Sequence, residues 1–307
     1  MYSAYSDLIV TNAPSDSQQA QVAALTALNF QDFLNAVGGK DLRYGRRLAA
    51  ALFEPAARSF ARQVAECDRI TGEQGLAAGS NWLFRQFGQR LRVSGAHHIP
   101  STGPVMIASN HPGATDTLAL FASIPRLDLA TIASDRPFLR ALPNIHAHLV
   151  NVSEAIEDRI LTVRTVAREF RRGRAILTFP AGKIEPDPRV LPGAVASLDQ
   201  WSASIGVFAR LVPGLCIVPA IVSGVLSPRA LNSPLTRLRH KAKDRELMAA
   251  MLQIVMKRYH NVQVDVAFGE AVYMSTANDV ESTTHTVIAS ARHLIEQPPN
   301  QWETLIG

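Results

Sequence analysis

A histidine and an aspartate five residues apart are the first side chains in this sequence that could do acid–base chemistry together. His111 and Asp116 lie in the segment Asn-His-Pro-Gly-Ala-Thr-Asp, in which Pro112 and Gly113 are typical of a turn. Such a turn can fold the imidazole back onto the carboxylate, which then holds one tautomer and supports the protonated ring. The other ring nitrogen could take a proton from an attacking hydroxyl group. The structural alternative is a helix-capping Asp116 beside a satisfied loop histidine.

A second turn of interest follows a later apolar run. The run Ala-Ile-Leu-Thr is followed directly by Phe-Pro-Ala-Gly-Lys at residues 179–183. A Pro-x-Gly turn at the carboxyl end of a strand presents main-chain N–H groups, which can bind a phosphate or a developing oxyanion. The alternative is a plain turn that ends the strand.

The elements that must position these two turns are apolar runs of strand length that alternate with helical periodicity after Arg92. The predicted strands are residues 105–109, 127–133, 148–152, 175–179, 216–223 and 262–268, and the predicted helices are residues 115–122, 137–142, 159–171, 194–208, 244–259 and 280–296. This order predicts an α/β fold with a central, largely parallel or mixed sheet flanked by helices. Both turns follow strands, and ligands of open parallel sheets gather at the carboxyl ends of strands.

The first 90 residues have a different pattern. The first 24 or so are polar and predict a loose lead-in, whereas the spacing of Phe30, Phe33 and Leu34 begins a helical pattern that continues to about residue 90. We therefore predict an N-terminal helical subdomain over residues 1–90 and an α/β domain over residues 91–307. The apolar side chains of the helices are expected to pack on the α/β domain, with a membrane-facing or acyl-chain-facing stripe as the alternative.

The charge of the chain favours anionic partners. The formal net charge is +5, which attracts phospholipid headgroups, phosphorylated substrates or acidic carrier proteins. Two basic clusters stand out, one of Arg171, Arg172 and Arg174 and one of Arg237, Arg239, Lys241, Lys243 and Arg245. Solvated surface charge is the alternative for both. A nucleic acid partner is not expected, because neither cluster carries interleaved aromatic residues or a recognisable binding module.

Several other kinds of site are disfavoured. Cys67 and Cys216 form no metal or redox motif and predict buried, reduced thiols of a cytoplasmic protein. His146 and His148 could share one face of a strand, but no cysteine or carboxylate completes a metal site, so no metal is predicted. Glycine-rich nucleotide loops and a Gly-x-Ser-x-Gly elbow do not occur. Neither a secretory signal nor an apolar run of about 20 residues is present, so a membrane role would be peripheral.

Together the two turns resemble the motifs of the glycerolipid acyltransferase superfamily, which includes the lysophosphatidate and glycerol-phosphate acyltransferases. The likeness lies in the His-x4-Asp block at His111 and Asp116 and in the Phe-Pro-x-Gly block at residues 179–182. The order and spacing of the two blocks, with Gly193 and the Val-Pro pair at Val218 in agreement, extend it over roughly residues 92–225.

The resemblance implies a reaction and the residues that carry it out. His111 would be the general base for a hydroxyl group of a lipid acceptor, and Asp116 would orient it. The attacked carbonyl would belong to a fatty acyl thioester of coenzyme A or acyl carrier protein, with no bound cofactor and no metal. The residues expected to contact substrate are Asn110, Arg136, Phe179, Pro180, Gly182 and Lys183. An anionic membrane surface is the implied partner, which places the protein in the cytoplasm, peripheral on the inner face of the membrane.

The second block departs from the family's usual Phe-Pro-Glu-Gly-Thr-Arg. This chain has Ala181, Lys183 and Ile184, so the glutamate and arginine credited with gripping a phosphorylated acceptor are missing. A lysine supplies a point charge but no bidentate fork. The charged residues nearby that could substitute are Glu185, Arg189 and Arg229. The sequence therefore does not identify the acyl acceptor. Two alternatives to acyl transfer also remain: a catalytically weak lipid-binding protein on the same scaffold, and a thioesterase that uses water.

Overall fold

A nine-stranded mixed sheet forms the centre of the computed structural model, which describes residues 16–36, 46–113, 115–152, 159–237, 239–274 and 279–307. The strands are β1 Arg90–Ser94, β2 Val105–Ser109, β3 Ala130–Ser134, β4 Leu149–Val152, β5 Ala175–Thr178, β6 Cys216–Ser223, β7 Gln263–Phe268, β8 Val272–Tyr273 and β9 Glu303–Ile306. They are ordered β4-β3-β5-β2-β6-β7-β1-β9, with β8 paired to the first residues of β6. The five neighbouring strands β4, β3, β5, β2 and β6 run parallel to one another. Strand β6 pairs with β7, and β1 with β9, in antiparallel fashion.

Helices cover both faces of this sheet. They are α1 Asp16–Ala36, α2 Arg46–Gln74, α3 Leu76–Gln86, α4 Asp116–Ser123, α5 Pro137–Arg140, α6 Pro143–His146, α7 Arg159–Arg171, α8 Ala194–Ser197, α9 Ser204–Leu211, α10 Pro228–Leu231, α11 Pro234–Arg237, α12 Ala242–Val255 and α13 Val280–Glu296. The apolar side chains of α3 and α4 pack on one face, and those of α7, α9 and α13 pack on the other. Strand β2 is buried along its whole length because it lies between these two layers.

The N-terminal helices form a further apolar cluster of their own. Leu25 of α1 packs with Val64 of α2 and Leu83 of α3, and Leu142 closes the cluster from the α/β side. Phe84 of α3 instead enters the core beneath the sheet. The domain boundary near residue 90 stays a prediction. In the described part of the chain, no helix combines the length and the apolarity that a bilayer-spanning segment needs.

The structure confirms the α/β class, and β2, β6, α7 and α13 have the predicted bounds. The prediction of a loose lead-in over the first 24 or so residues was wrong from Asp16 onward, where α1 begins. Residues 1–15 lie outside the described residues. Of the predicted apolar triplet, only the Phe30 side chain lies among those described, and it is half-buried.

Two predicted elements differ for identifiable reasons, and three short strands were not predicted. Strand β3 begins at Ala130 because Arg126 binds Asp128 across a turn that leaves Leu127 95% exposed. The helix predicted over residues 194–208 is interrupted because the main-chain N–H of Ser202 bonds Pro180 at 3.1 Å. Strand β1 was missed although its Arg-Leu-Arg-Val alternation was visible, and β8 and β9 are short.

Candidate active site

The two turns meet at one edge of the sheet. Strands β2 and β5 are parallel neighbours, so His111, two residues beyond β2, lies beside Phe179, the first residue beyond β5. Their rings stack with centroids 4.3 Å apart and planes 25° apart. The predicted juxtaposition of the two motifs is therefore what the structure shows.

The imidazole of His111 is hydrogen-bonded to the Asp116 carboxylate. Nδ1 lies 2.7 Å from Oδ2, and the same oxygen accepts the main-chain N–H of Gly113 at 2.8 Å. Gly113 has φ +91°, a conformation that favours glycine, and it turns the chain back toward α4. Asp116 is 1% exposed and is the first residue of α4, whose N-cap is Thr115. Oδ2 thus holds the imidazole and the turn, while Oδ1 accepts the main-chain N–H and the hydroxyl of Thr117 in the first turn of α4.

The surroundings of His111 raise its pKa above the ordinary histidine value. Burial alone would lower it, but the hydrogen bond and charge of Asp116 outweigh burial, and the charge of Glu185 adds to them. The charge of Arg136 acts in the opposite direction. With Nδ1 bound to the carboxylate, Nε2 is the basic nitrogen of the neutral ring, and the side chain is 27% exposed.

Glu185 contacts His111 from the loop after β5. Its Oε2 accepts the main-chain N–H of His111 at 3.0 Å, and its own N–H donates to the His111 carbonyl at 2.8 Å. Glu185 is 3% exposed, and burial, more than any other influence, raises the pKa of its carboxyl group. Glu185 therefore cannot reach an acceptor as a substitute for the missing motif residues. The sequence analysis suggested Glu185 only as a substitute for the missing motif residues, and nothing in the sequence indicated that it binds the main chain of His111.

Asn110 and Arg136, two predicted substrate contacts, differ in their surroundings. The buried amide of Asn110 donates to the Val222 carbonyl at 3.0 Å and accepts the Val222 N–H at 2.7 Å, which ties β2 to β6. Both ends of that amide are occupied, so its contact with substrate stays a prediction. Arg136 is exposed just beyond β3, close enough for its charge to act on His111.

The Phe-Pro-Ala-Gly-Lys turn leaves its last residues exposed. The Gly182 N–H closes the turn by bonding the Phe179 carbonyl at 2.9 Å, so this N–H is not free to bind an oxyanion. Gly182 has φ +64° and open space around it, and Lys183 is exposed. Pro180 is buried, and its carbonyl accepts the Ser202 N–H. Ile184 is 53% exposed and overhangs Gly113.

The two arginines suggested as substitutes lie in different surroundings. The guanidinium of Arg189 bonds the Gln263 carbonyl at 2.8 Å and the carboxylate of Asp265, which is also bound by Arg92. Arg189 is therefore engaged by β7. Arg229 is an exposed residue of α10.

The residues considered for metal binding are engaged separately. His148 Nδ1 lies 3.0 Å from the Leu129 carbonyl, and His146 Nε2 lies 3.1 Å from the Asn151 amide nitrogen. Across the described ranges, no three His, Cys, Asp or Glu side chains are grouped as a metal site requires.

Comparison with protein families gives a match over residues 90–223, to the family model described as Acyltransferase. This stretch is an acyltransferase domain. It covers less than half of the 307 residues but runs from β1 to the end of β6 and contains both turns. The chain is thus an acyltransferase, as the resemblance of its motifs implied. The N-terminal helices and the elements from α10 onward lie outside the matched stretch.

Among solved structures, the acyltransferase is similar to the 1-acyl-sn-glycerophosphate acyltransferase PlsC of Thermotoga maritima. The sequence identity is 14%, the alignment covers 92% of this chain and 97% of that one, and the TM-score is 0.46. No curated protein sequence matches the chain significantly.

Proposed function

We propose that this acyltransferase moves a fatty acyl group from a thioester to a hydroxyl group of a glycerolipid-type acceptor, with His111 as general base and Asp116 as its orienting carboxylate. The observation that carries the proposal is the 2.7 Å bond between His111 Nδ1 and the buried Asp116 carboxylate. It leaves Nε2 as the nitrogen that can accept a proton.

The proposed reaction needs no nucleophile from the protein. Nε2 of His111 takes the proton of the acceptor hydroxyl as its oxygen attacks the thioester carbonyl carbon. The tetrahedral intermediate collapses by breaking the carbon–sulfur bond, and the imidazolium returns its proton to the departing sulfur. The products are an ester and a free thiol. Asp116 favours the imidazolium that forms in between, and the raised pKa of His111 is consistent with that role.

The residues proposed to meet the acceptor are more exposed to solvent than His111 and Asp116. Lys183 and Arg136 are exposed cations of the loops after β5 and β3. Lys183 supplies a point charge at the rim, whereas the guanidinium of Arg136 can bind a phosphate in bidentate fashion from a position outside the usual motif. Ile184 adds an exposed apolar side chain between them and Gly113. We propose that the acceptor is a lipid whose headgroup meets these cations and whose chain meets Ile184.

The two basic clusters differ in their availability to an anionic partner. Arg172 and Arg174 are bound to Glu169, at the opposite edge of the sheet from His111. In the second cluster, Lys241 and Lys243 are exposed on the elements that follow the carboxyl end of β6, a strand parallel to β2. We therefore propose that the second cluster meets anionic headgroups, or a phosphate-bearing donor such as acyl-coenzyme A or acyl carrier protein, at the inner face of the membrane.

Mass spectrometry of lipid products tests the function directly. Purified protein is incubated with an acyl thioester and a mixture of hydroxylated lipid acceptors, with His111→Ala as the matched control. We expect an acylated lipid and a free thiol from the wild type, and a loss of about 10²–10⁴-fold in the variant. Free fatty acid without acylated lipid would instead show a thioesterase. Liposome binding without thioester consumption over a broad acceptor panel would show a lipid-binding protein.

Membrane binding is tested separately by sedimentation with anionic and neutral liposomes. We expect the protein to sediment with anionic liposomes at low salt and to be released as salt rises, since exposed charges are screened over about 8 Å at physiological ionic strength. A Lys241→Ala, Lys243→Ala double variant should sediment less, whereas neutral liposomes should not bind. Failure of the wild type to sediment at low salt would contradict the peripheral membrane role.

A further inference from the structure

Glu185 holds both main-chain polar groups of His111. The carboxylate accepts the histidine N–H at 3.0 Å, and the Glu185 N–H donates to the histidine carbonyl at 2.8 Å. The two residues are 74 positions apart in the sequence and lie on the loops after β5 and β2. One residue therefore satisfies the peptide groups on both sides of the His111 α-carbon and fixes where the side chain leaves the backbone.

The other carboxylate oxygen of Glu185 is held in place from beneath. Oε1 accepts the hydroxyl of Ser197 at 3.1 Å and the indole N–H of Trp201 at 3.1 Å. All three side-chain and main-chain donors to this carboxylate are neutral groups, so its negative charge is not cancelled by them. A charge in such buried surroundings acts on its neighbours more strongly than one in water.

The same loop contains a second buried carboxylate, that of Asp187, which also binds main-chain N–H groups but does not contact His111. Asp187 accepts the N–H groups of Gly224 at 2.8 Å and Leu226 at 3.1 Å, both on the loop after β6. It also accepts the N–H of Arg189 at 3.0 Å. The loop after β5 thus holds the loop after β2 through Glu185 and the loop after β6 through Asp187.

We propose that Glu185 is a positioning residue for the reaction, which fixes the main chain of His111 and supplies a second negative charge, beside that of Asp116, that favours the imidazolium. The inference rests on the proposed role of His111 as general base. The charged groups that face the imidazole are Asp116 from α4, Glu185 from the loop after β5 and Arg136 from the loop after β3. Two of the three are negative. Of these two, Asp116 is hydrogen-bonded to the imidazole ring and Glu185 is not.

The direct test is an NMR titration of the His111 ring, which needs no substrate. His111→Ala assigns its signal among the nine histidines. Glu185→Gln keeps the size of the side chain and an oxygen for the His111 N–H, but it removes the charge. We expect the His111 titration midpoint to move to lower pH in Glu185→Gln.

Kinetics give the second readout. In Glu185→Gln we expect kcat to fall by about 10-fold or more, approaching the roughly 10²-fold loss that a misplacement of about 1 Å can cause. KM should stay nearly constant, and the acid limb of the rate profile should move to lower pH. The matched control is Asp187→Asn, a buried carboxylate of the same loop that does not contact His111. It should reduce stability without moving the His111 midpoint.

A further variant covers the case in which Glu185→Gln does not fold. Trp201→Phe removes one neutral donor, which raises the pKa of Glu185 and reduces its negative charge at a given pH, so the His111 midpoint should move the same way by a smaller amount. An unchanged midpoint and kcat in Glu185→Gln, or an equal shift in Asp187→Asn, would overturn the role of Glu185. Full activity in His111→Ala would overturn the proposed function instead.

Discussion

The Oδ2 atom of Asp116 lies 2.7 Å from His111 Nδ1 and 2.8 Å from the main-chain nitrogen of Gly113. One oxygen therefore orients the imidazole and closes the turn that brings the imidazole to it. Because the pKa of His111 is raised, the fraction of neutral, basic imidazole grows only as pH rises above the ordinary histidine range. We expect the acid limb of kcat/KM to lie above that range, and a limb below it would contradict His111 as the base.

Substitution of Asp116 by asparagine should lower activity by more than one route. The amide carries no negative charge, so the pKa of His111 falls and the acid limb moves to lower pH, while the imidazole can adopt the wrong tautomer. We expect kcat to fall by about 10²–10⁴-fold. Steady-state kinetics of the single variant and of the Asp116→Asn, His111→Ala double variant provide the check. A double variant far below both single variants would show that the two residues do not act as a unit.

The exposed cations of the acceptor loops should affect KM rather than kcat. Lys183→Ala and Arg136→Ala each remove one exposed charge, an interaction worth about 0.2–1 kcal/mol. We expect KM for an anionic acceptor to rise about two- to five-fold in each variant, with little change for an uncharged acceptor. Lys257→Ala, an exposed lysine after α12, is the control. Equal effects on charged and uncharged acceptors would argue against a headgroup contact.

The sequence predicted the parts of this site that are local. His111 and Asp116 are joined by a Pro-Gly turn, and their pairing follows from that turn and from the helix that begins at Asp116. Strands β2 and β6 had the predicted bounds because each is an unbroken apolar run buried on both faces. The meeting of His111 and Phe179 followed from two strand ends that share an edge.

The sequence could not predict the parts that depend on main-chain partners. Glu185 binds a main-chain N–H, a group that every residue except proline carries, so no residue type 74 positions earlier marks the contact. The same holds for Asn110, whose partner is the main chain of Val222. Asn110 was predicted to contact substrate, and Glu185 was suggested as a substitute for the missing motif residues. Both interpretations arose because a polar residue beside a motif looks like a binding residue until its main-chain partner is known.

Removal of the Asn110 amide should weaken the fold at the edge that holds the site. Asn110→Ala leaves the buried N–H and carbonyl of Val222 without partners, which costs about 2–4 kcal/mol in the free energy of unfolding. Chemical denaturation measures this loss, and KM of the folded fraction tests the predicted substrate contact. An unchanged KM would leave Asn110 with a structural role alone. A variant as stable as the wild type would contradict the importance of the bonds to Val222.

At the opposite edge of the sheet, loss of a buried side chain should reduce stability without affecting catalysis. The buried guanidinium of Arg126 donates to the carbonyls of Pro100, Gly103 and Gly173 and to Asp128, whose pKa it lowers. Arg126→Met should destabilise the protein by about 3 kcal/mol or more and leave kcat of the folded protein unchanged. The exposed Arg168 of α7 gives the matched control, since Arg168→Met should change stability by less than about 0.5 kcal/mol. Loss of kcat without loss of stability would contradict this assignment.

The two thiols should be inert in the folded protein. Burial, with the nearby charge of Asp68, raises the pKa of Cys67 from 9.0 to about 12, and burial also raises the pKa of Cys216. Because the thiolate is the reactive form, a rise of that size lowers the reactive fraction of Cys67 about 10³-fold at pH 8, before access is considered. We expect negligible labelling by a thiol reagent under native conditions and two labelled thiols after denaturation. The Cys67→Ala variant isolates Cys216, and rapid labelling of the native wild type that disappears in this variant would show that α2 opens to solvent around Cys67.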